Sequence, residues 1–144
     1  MVGSLFADSP ESGVIDKQPT TQLEVKTLLN RIQHFVGFVY RCIRLRGAGS
    51  TLRVEVQIEP HRGIRGKCAT CLQPCPGYDQ LEERRWLFVP LWGIACHFFY
   101  PPRRVECAAH GVAVEHIPWS QGKRPVTTAM MGFLARWARR LSWR

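Results

Sequence analysis

Four residues with metal-binding side chains fall into two short pairs in this sequence. Cys68 and Cys71 are separated by two residues, and the same spacing separates Cys107 from His110. This spacing lets one tight turn direct both side chains toward a common centre, and zinc prefers thiolate sulfur and imidazole nitrogen as ligands. Four protein ligands complete a tetrahedral site and leave no position for water. The spacing therefore predicts one structural zinc ion bound by Cys68, Cys71, Cys107 and His110.

Two further residues compete for places in this site. Cys75 follows the first pair closely and lies beside proline, and His116 follows the second pair. Either side chain can replace one of the four ligands in a distorted site, so both stay open as alternatives. Cys42 and Cys96 fall in apolar segments instead, where a free cysteine usually behaves as a small buried hydrophobic residue.

A thiol redox enzyme is the catalytic alternative to a metal site at Cys68 and Cys71. A redox pair of this spacing typically opens a helix within a strand–helix–strand unit. The surrounding sequence predicts loops and strands, which favours metal binding. The sequence also has no nucleophile–histidine–acid arrangement and no glycine-rich phosphate loop, so we expect no catalytic activity from this chain.

The residues before the first pair predict a helix followed by a β-hairpin. A short helix fits residues 21–33, where leucine and isoleucine roughly follow one helical face. Residues 35–43 are rich in aromatic and β-branched side chains, which favours a strand. Residues 52–58 alternate apolar and polar side chains, as in a strand with one buried face, and the glycines within residues 47–50 supply a turn between the two.

Two more strands are predicted between the two ligand pairs, at residues 84–91 and 94–100, with Trp92-Gly93 as their turn. The zinc ion would then clamp the base of this β-sheet, as in a zinc ribbon. Residues 111–126 are rich in proline and glycine and predict a loop.

The last segment, residues 127–144, predicts an amphipathic helix with Thr127 or Thr128 as its N-cap. Its apolar residues follow the spacing of one helical face, and its arginines lie outside that face. The apolar residues are Met130, Phe133, Leu134, Trp137 and Leu141. The predicted fold class is α+β, a small antiparallel β module with one helix before it and one after it. The expected organisation is a disordered lead-in over residues 1–20, the zinc-binding module over 21–126 and the last helix over 127–144.

Length and charge restrict the class of protein. A chain of 144 residues is the size of one ordinary domain, which excludes a large multidomain enzyme. The formal net charge is +9, and 16 of the 20 basic residues are arginine, whose planar head suits phosphate and guanine. From Lys123 onward there are six basic residues and no acidic one. This bias predicts a polyanionic partner, and a solvated basic surface is the alternative.

The sequence has neither a targeting segment nor an apolar run of the roughly 18 residues that a membrane helix needs. We therefore expect a cytoplasmic protein without a membrane partner. In a reducing compartment the six cysteines favour metal binding over disulfides.

These residues together resemble a known family, the N-terminal zinc-finger region of bacterial insertion-sequence transposases of the ISL-three family. The resemblance covers about residues 25–144, and its most specific part is the stretch Arg-Arg-x-x-Cys-x-x-His-Gly followed by Pro-Trp. The matching residues are Cys68, Cys71, Tyr78-Asp79, Arg84-Arg85, Pro90, Gly93, Arg103-Arg104, Cys107, His110-Gly111, Glu115 and Pro118-Trp119.

The resemblance implies a function in transposition. It assigns zinc ligation to Cys68, Cys71, Cys107 and His110, and it makes the helix from about Thr127 the first helix of a helix-turn-helix. In that family this region is taken to recognise the terminal inverted repeats of the element, and an RNase H-like domain with an Asp-Asp-Glu site follows. Because this chain stops at Arg144, we expect an N-terminal transposase part that lacks that catalytic domain.

The expected partner is double-stranded DNA, contacted at its phosphates by seven basic residues. They are Arg103, Arg104, Lys123, Arg124, Arg136, Arg139 and Arg140. The alternative is a zinc-ribbon protein-interaction module that forms a homo-oligomer through the apolar face of the last helix. Such a module would show concentration-dependent mass and little salt-sensitive DNA binding.

Overall fold

Two β-sheets and two helices make up the part of the chain that this computed structural model describes, residues 24–142. The predicted lead-in over residues 1–20 and the last two positions lie outside the described residues. The predicted α+β class is confirmed. The elements in chain order are α1 (Val25–Ile32), β1 (Phe38–Arg46), a 3-10 turn (Gly49–Thr51), β2 (Arg53–Pro60), β3 (Gly77–Gln80), β4 (Arg84–Leu91), β5 (Ile94–Tyr100), β6 (Arg103–Cys107), β7 (Gly111–Val114) and α2 (Thr128–Leu141).

The larger sheet has the strand order β1-β2-β5-β4 and contains both predicted hairpins. β1 and β2 pair antiparallel, with a register shift between Tyr40 and Cys42. β1 begins and ends three residues later than its sequence pattern predicted. β4 and β5 occupy the residues predicted for them and also pair antiparallel. Their turn places Trp92 and Gly93 at positive φ, 48° and 76°, which glycine adopts without strain.

The expectation of a wholly antiparallel module is wrong at the centre of this sheet, where β2 and β5 run parallel. Parallel neighbours need a crossover of a dozen residues or more. Here the connection carries the first cysteine pair, β3 and β4 before β5 returns alongside β2. The alternation of apolar and polar residues predicts that a strand exists, but it carries no information about which strand lies next to it.

One face of the larger sheet carries a core dominated by aromatic rings. Trp119, which follows β7, is 1% exposed at the centre of this core. Its ring centroid lies 5.1 Å from Phe38, 5.4 Å from Tyr100 and 5.5 Å from Trp86, with interplanar angles of 82–87°. Such edge-to-face pairs contribute beyond the burial of apolar area. A single residue from a loop therefore joins side chains of three strands.

The start of α2 is fixed to the edge strand β4. The backbone N–H of Leu87 donates to Pro125, and the N–H of Thr127 donates back to Leu87 at 3.0 Å. The Thr127 hydroxyl accepts from the N–H of Met130 at 3.1 Å, which confirms the predicted N-cap. Within the described residues, neither helix has the length and apolar content needed to cross a membrane.

Only the first half of α2 contacts the core. Met130 is buried, whereas Leu134 and Trp137 are each 49% exposed and Leu141 is 73% exposed. The apolar face that the sequence predicted is therefore present, and its second half is uncovered by the rest of the described chain.

The smaller sheet has the order β3-β6-β7, and the sequence patterns missed all three of its strands. Residues 111–126 were expected to form a loop, yet β7 occupies Gly111–Val114 and pairs with β6. These strands have four or five residues, too few for an alternating pattern to stand out. Their formation depends on pairing partners distant in sequence.

Replacing Trp119 with alanine should destabilise the whole domain. Truncating a buried tryptophan typically costs about 3–5 kcal/mol of unfolding free energy, because a cavity remains among the surrounding rings. Trp92→Ala is the matched control, since Trp92 is 86% exposed in the β4–β5 turn. Urea denaturation followed by circular dichroism measures both variants. Equal unfolding midpoints for the two variants would contradict the central role of Trp119.

Candidate metal centre

The four predicted ligands lie together. The Sγ atoms of Cys68, Cys71 and Cys107 and a ring nitrogen of His110 all lie within 4.8 Å of one another. The Nδ1 atom of His110 is 3.6 Å from the sulfur of Cys68 and 3.5 Å from that of Cys107, and the sulfurs of Cys71 and Cys107 are 3.7 Å apart. These four residues can therefore bind one metal ion.

The three shortest of these separations are close to the edges of a tetrahedron around a metal ion such as zinc. Metal–sulfur bonds of about 2.3 Å and metal–nitrogen bonds of about 2.0–2.1 Å give sulfur–sulfur edges of about 3.8 Å and sulfur–nitrogen edges of about 3.6 Å. The four side chains are therefore placed to hold one metal ion.

The first ligand pair sits in a tight turn. Lys67 and Pro74 pair across its base, the Cys68 N–H donates to Gln73 at 3.0 Å, and the Leu72 N–H donates to Cys68 at 2.9 Å. Leu72 adopts a φ of 59°, a conformation that costs energy for a residue with a side chain. The thiol redox alternative requires Cys68 and Cys71 to open a helix, but no helix begins at these residues.

The second ligand pair occupies the turn between β6 and β7. Cys107 ends β6 and pairs with Gly111, whose φ of 73° reverses the chain. Cys107 is buried and His110 is exposed, so the imidazole closes the site on its solvent side.

The expectation that the metal clamps the strands at residues 84–100 is wrong. β4 and β5 belong to the larger sheet, whereas the second ligand pair joins β6 to β7 in the smaller one. The two ligand turns approach each other because the N–H of His116 donates to Lys67 at 2.8 Å and Cys68 pairs with Glu115. The 35-residue insert between the pairs thus leaves the smaller sheet, builds half of the larger one and returns.

Neither competitor belongs to the group of four. Cys75 is 4% exposed, and its thiol donates to the carbonyl of Gln73 at 3.2 Å. It packs with Cys68 and Cys107 in the small core beneath the site. His116 is exposed. Of the two cysteines predicted as buried hydrophobic residues, Cys96 is fully buried, which raises the pKa of its thiol to about 12, and Cys42 is half-buried.

Hydrogen bonds prepare part of the site for metal. The side chain of His110 lowers the pKa of Cys107 to about 6. Backbone N–H groups of Cys71 and Thr70 lower the pKa of Cys68. The hydrogen bond with Cys107 raises the pKa of His110. Since metals bind thiolates and neutral imidazole, Cys68 and Cys107 are predisposed toward the ligating form, while a proton must leave His110. Cys71 is not predisposed in this way: a backbone hydrogen bond at Gln73 lowers the pKa of its thiol, but burial and the hydrogen bonds with Cys107 and Cys68 raise it overall.

A buried ion pair next to the metal site joins the two sheets. Glu115 is 2% exposed and accepts from the Tyr100 hydroxyl, from the backbone N–H of Arg103 at 2.9 Å and from the Arg103 guanidinium at 2.8 Å. Burial and the hydrogen bond with Glu115 raise the pKa of Tyr100 above its usual range. Spacing and charge patterns gave no signal for this network; only the family resemblance included Glu115.

The seven predicted DNA contacts divide into two groups. The guanidinium of Arg103 pairs with Glu115, and that of Arg104 pairs with Asp79 and lies over the ring of Tyr78. The other five are exposed. Arg124 contacts Met131 of α2, which brings this loop beside the helix. The five exposed residues are Lys123, Arg124, Arg136, Arg139 and Arg140.

Comparison with known proteins finds no matching family model, no matching curated protein and no matching solved structure. The chemistry of the metal centre and the distribution of charge are therefore the basis for assigning a function.

Cys107→Ser should abolish stoichiometric metal binding, whereas Cys75→Ser should retain one ion per chain. Cys107 lies within tetrahedral distance of two other ligands, while Cys75 bonds to a carbonyl. Elemental analysis after gel filtration gives the metal-to-protein ratio of each variant. If the Cys75 variant lost the metal and the Cys107 variant kept it, Cys75 would be the ligand in place of Cys107.

Glu115→Gln should destabilise the protein by about 1–3 kcal/mol, because Arg103 and Tyr100 lose a charged acceptor. The cost stays below that of breaking a fully buried ion pair, since the Arg103 side chain keeps 21% exposure. Glu82→Gln removes an exposed carboxylate and serves as the control. Thermal unfolding of the two metal-loaded variants measures the difference, and equal stability would refute the role of Glu115.

Proposed function

We propose that this protein is a zinc-stabilised module that binds double-stranded DNA as the N-terminal part of an insertion-sequence transposase. The observation that carries the proposal is the cluster of three cysteines and one histidine, whose ligand atoms lie within 4.8 Å of one another, on the residues that the resemblance assigns to zinc. The exposed arginines of α2 support the choice of DNA as partner.

Zinc is the proposed metal because the donors are three thiolates and one imidazole. Carboxylate and carbonyl donors, which magnesium and calcium prefer, are absent from the group of four. With all four positions filled by protein, the ion would hold the two ligand turns together without supplying reactive water. Its role is therefore the stability of the smaller sheet.

The proposed DNA-binding surface is the exposed side of α2 together with the loop before it. No acidic residue follows Glu115, so Arg136, Arg139 and Arg140 have no nearby carboxylate in sequence to neutralise them. An α-helix fits the width of the major groove, and arginine forms bidentate contacts with phosphate. Arg103 and Arg104 are left out of this surface, because both already pair with carboxylates.

In the transposase interpretation, α2 is the first helix of a helix-turn-helix and positions the protein on the DNA backbone. Terminal inverted repeats are the proposed target, as the resemblance implies. A short segment of chain connects the metal centre to the start of α2. Glu115 pairs with Cys68, Trp119 enters the core four residues later, and the N–H of Thr128 donates to the carbonyl of Trp119. Zinc would thus stabilise the segment from which α2 starts.

A second candidate function is protein interaction through the uncovered apolar face of α2. The exposure of Leu134, Trp137 and Leu141 favours it, since a monomer rarely leaves a tryptophan and two leucines uncovered on one helical face. Sedimentation at increasing protein concentration tests this candidate independently of DNA.

Removing the arginines of α2 should weaken duplex binding and reduce its salt dependence. Each phosphate neutralised contributes about 0.9 to the slope of log affinity against log salt, so the variant with Arg136, Arg139 and Arg140 replaced by alanine should lose about 2.7 from the slope. The charge-matched control replaces Arg31, Arg44 and Arg62, which are exposed elsewhere. Anisotropy of a labelled 20-base-pair duplex, titrated at several salt concentrations, measures both. Equal slopes for the two variants would exclude α2 as the DNA-binding surface.

A further inference from the structure

We propose that a cleft beside the metal centre binds an unpaired nucleotide of single-stranded DNA. The cleft has a volume of about 470 Å³ and lies between residues 34–38 on one side and residues 64–67 with Leu72 on the other. The Arg103–Glu115 pair contributes to its lining. None of the residues proposed to contact duplex DNA lines it, so this inference is independent of the proposed function.

The walls of the cleft are held in place by hydrogen bonds to backbone carbonyls. The N–H of His61 donates to Gly37 at 2.9 Å, and the guanidinium of Arg103 donates to the carbonyl of Ile64 at 2.9 Å. A Cβ atom at Gly66 would lie 2.7 Å from Val105 and 2.9 Å from Glu115, so this position requires glycine. The cleft is therefore preformed, which lowers the entropy cost of binding a ligand.

Apolar side chains are exposed along both walls. Val36 is 76% exposed, Ile64 is 43% exposed and Leu72 is 50% exposed, while the ring of Phe35 lies partly buried between them and the core. Leu72 stands out because its backbone adopts the costly left-handed conformation while its side chain remains in solvent. Such exposure on an otherwise polar surface marks a binding site for a ligand with an apolar part.

The charge of the cleft selects an anion. Arg65 and Lys67 are exposed, and within residues 24–142 neither forms an ion pair. Glu115 is the one acidic residue in the lining, and its two oxygens already accept hydrogen bonds from Arg103 and Tyr100. The imidazoles of His34 and His116 add aromatic surface and donors at the rim.

A nucleotide within a strand combines these two requirements, since the phosphates on either side of it suit Arg65 and Lys67 and its flat base suits the apolar walls. Proteins that bind single strands combine cationic side chains with aromatic side chains on which bases stack, and His34, Phe35 and His116 are aromatic residues that line this cleft. Bases within a duplex are stacked and do not present their faces, so an unpaired nucleotide is the form that fits a concave site. An acidic peptide would satisfy the charge but leave the walls without a planar partner.

The metal-loaded full-length protein and a labelled twelve-residue oligothymidylate test the proposal. Arg65→Ala/Lys67→Ala should weaken binding about tenfold or more and lower the salt slope by about 1.4, at 0.7 per single-strand phosphate. Arg31→Ala/Arg44→Ala removes the same charge elsewhere and should leave the affinity within about twofold of wild type.

Leu72→Gly tests the apolar wall without harming the fold, because glycine adopts the φ of 59° freely. This variant should bind the oligothymidylate about fivefold or more weakly, because the base can no longer cover the exposed half of the Leu72 side chain. The wild-type protein should likewise bind an oligonucleotide of equal charge that lacks bases about fivefold or more weakly than it binds the oligothymidylate. Metal content and melting temperature confirm that each variant is folded.

Three results would overturn the proposal. The first is equal oligothymidylate affinity for the Arg65/Lys67 variant and its charge-matched control. The second is equal affinity for strands with and without bases, and the third is equally strong competition by oligoglutamate. The α2 triple variant separates the two proposals, since it should lose duplex binding and keep oligothymidylate binding. Either surface can therefore fail without the other.

Discussion

The buried carboxylate of Glu115 is the interaction on which the rest of the structure depends. It accepts hydrogen bonds from Tyr100 at the end of β5 and from Arg103 at the start of β6, so it fixes the point where the chain passes from the larger sheet to the smaller one. Its backbone pairs with Cys68, the first metal ligand. A charge buried this deeply is tolerated only when its hydrogen-bonding capacity is filled, which is why three donors converge on it.

The two sheets obtain their stability from different sources. The larger sheet buries thirteen residues in one cluster, with rings in contact around Trp119. The smaller sheet buries four, and three of them are the cysteines Cys68, Cys75 and Cys107. A core of that size supplies little hydrophobic free energy, and small modules of this kind typically rely on metal binding. The metal centre therefore compensates for what the smaller sheet lacks in buried apolar surface.

Tertiary contacts also redistribute the basic charge. A net charge of +9 suggests a uniformly cationic surface, but Arg103 and Arg104 are neutralised by Glu115 and Asp79 within the fold. Two groups of the remaining cations lie on opposite sides of Glu115 in the sequence. One follows α2 and the loop before it, and the other lines the cleft beside the first ligand turn. If both proposals hold, these two surfaces of different shape would let one small domain distinguish duplex from single-stranded DNA.

Local sequence patterns were enough to predict the four clustered metal-binding side chains, the boundaries of β4 and β5, and the N-cap of α2. Each depends on residues a few positions apart, and local geometry decides their structure. The parallel pairing of β2 with β5, the three short strands of the smaller sheet and the roles of Glu115 and Arg103 were decided only by the tertiary structure. These features join residues distant in sequence, where side-chain periodicity carries no information about partners. The same limit explains why the metal was expected to clamp the wrong strands: spacing shows which residues bind together, but not which sheet they stabilise.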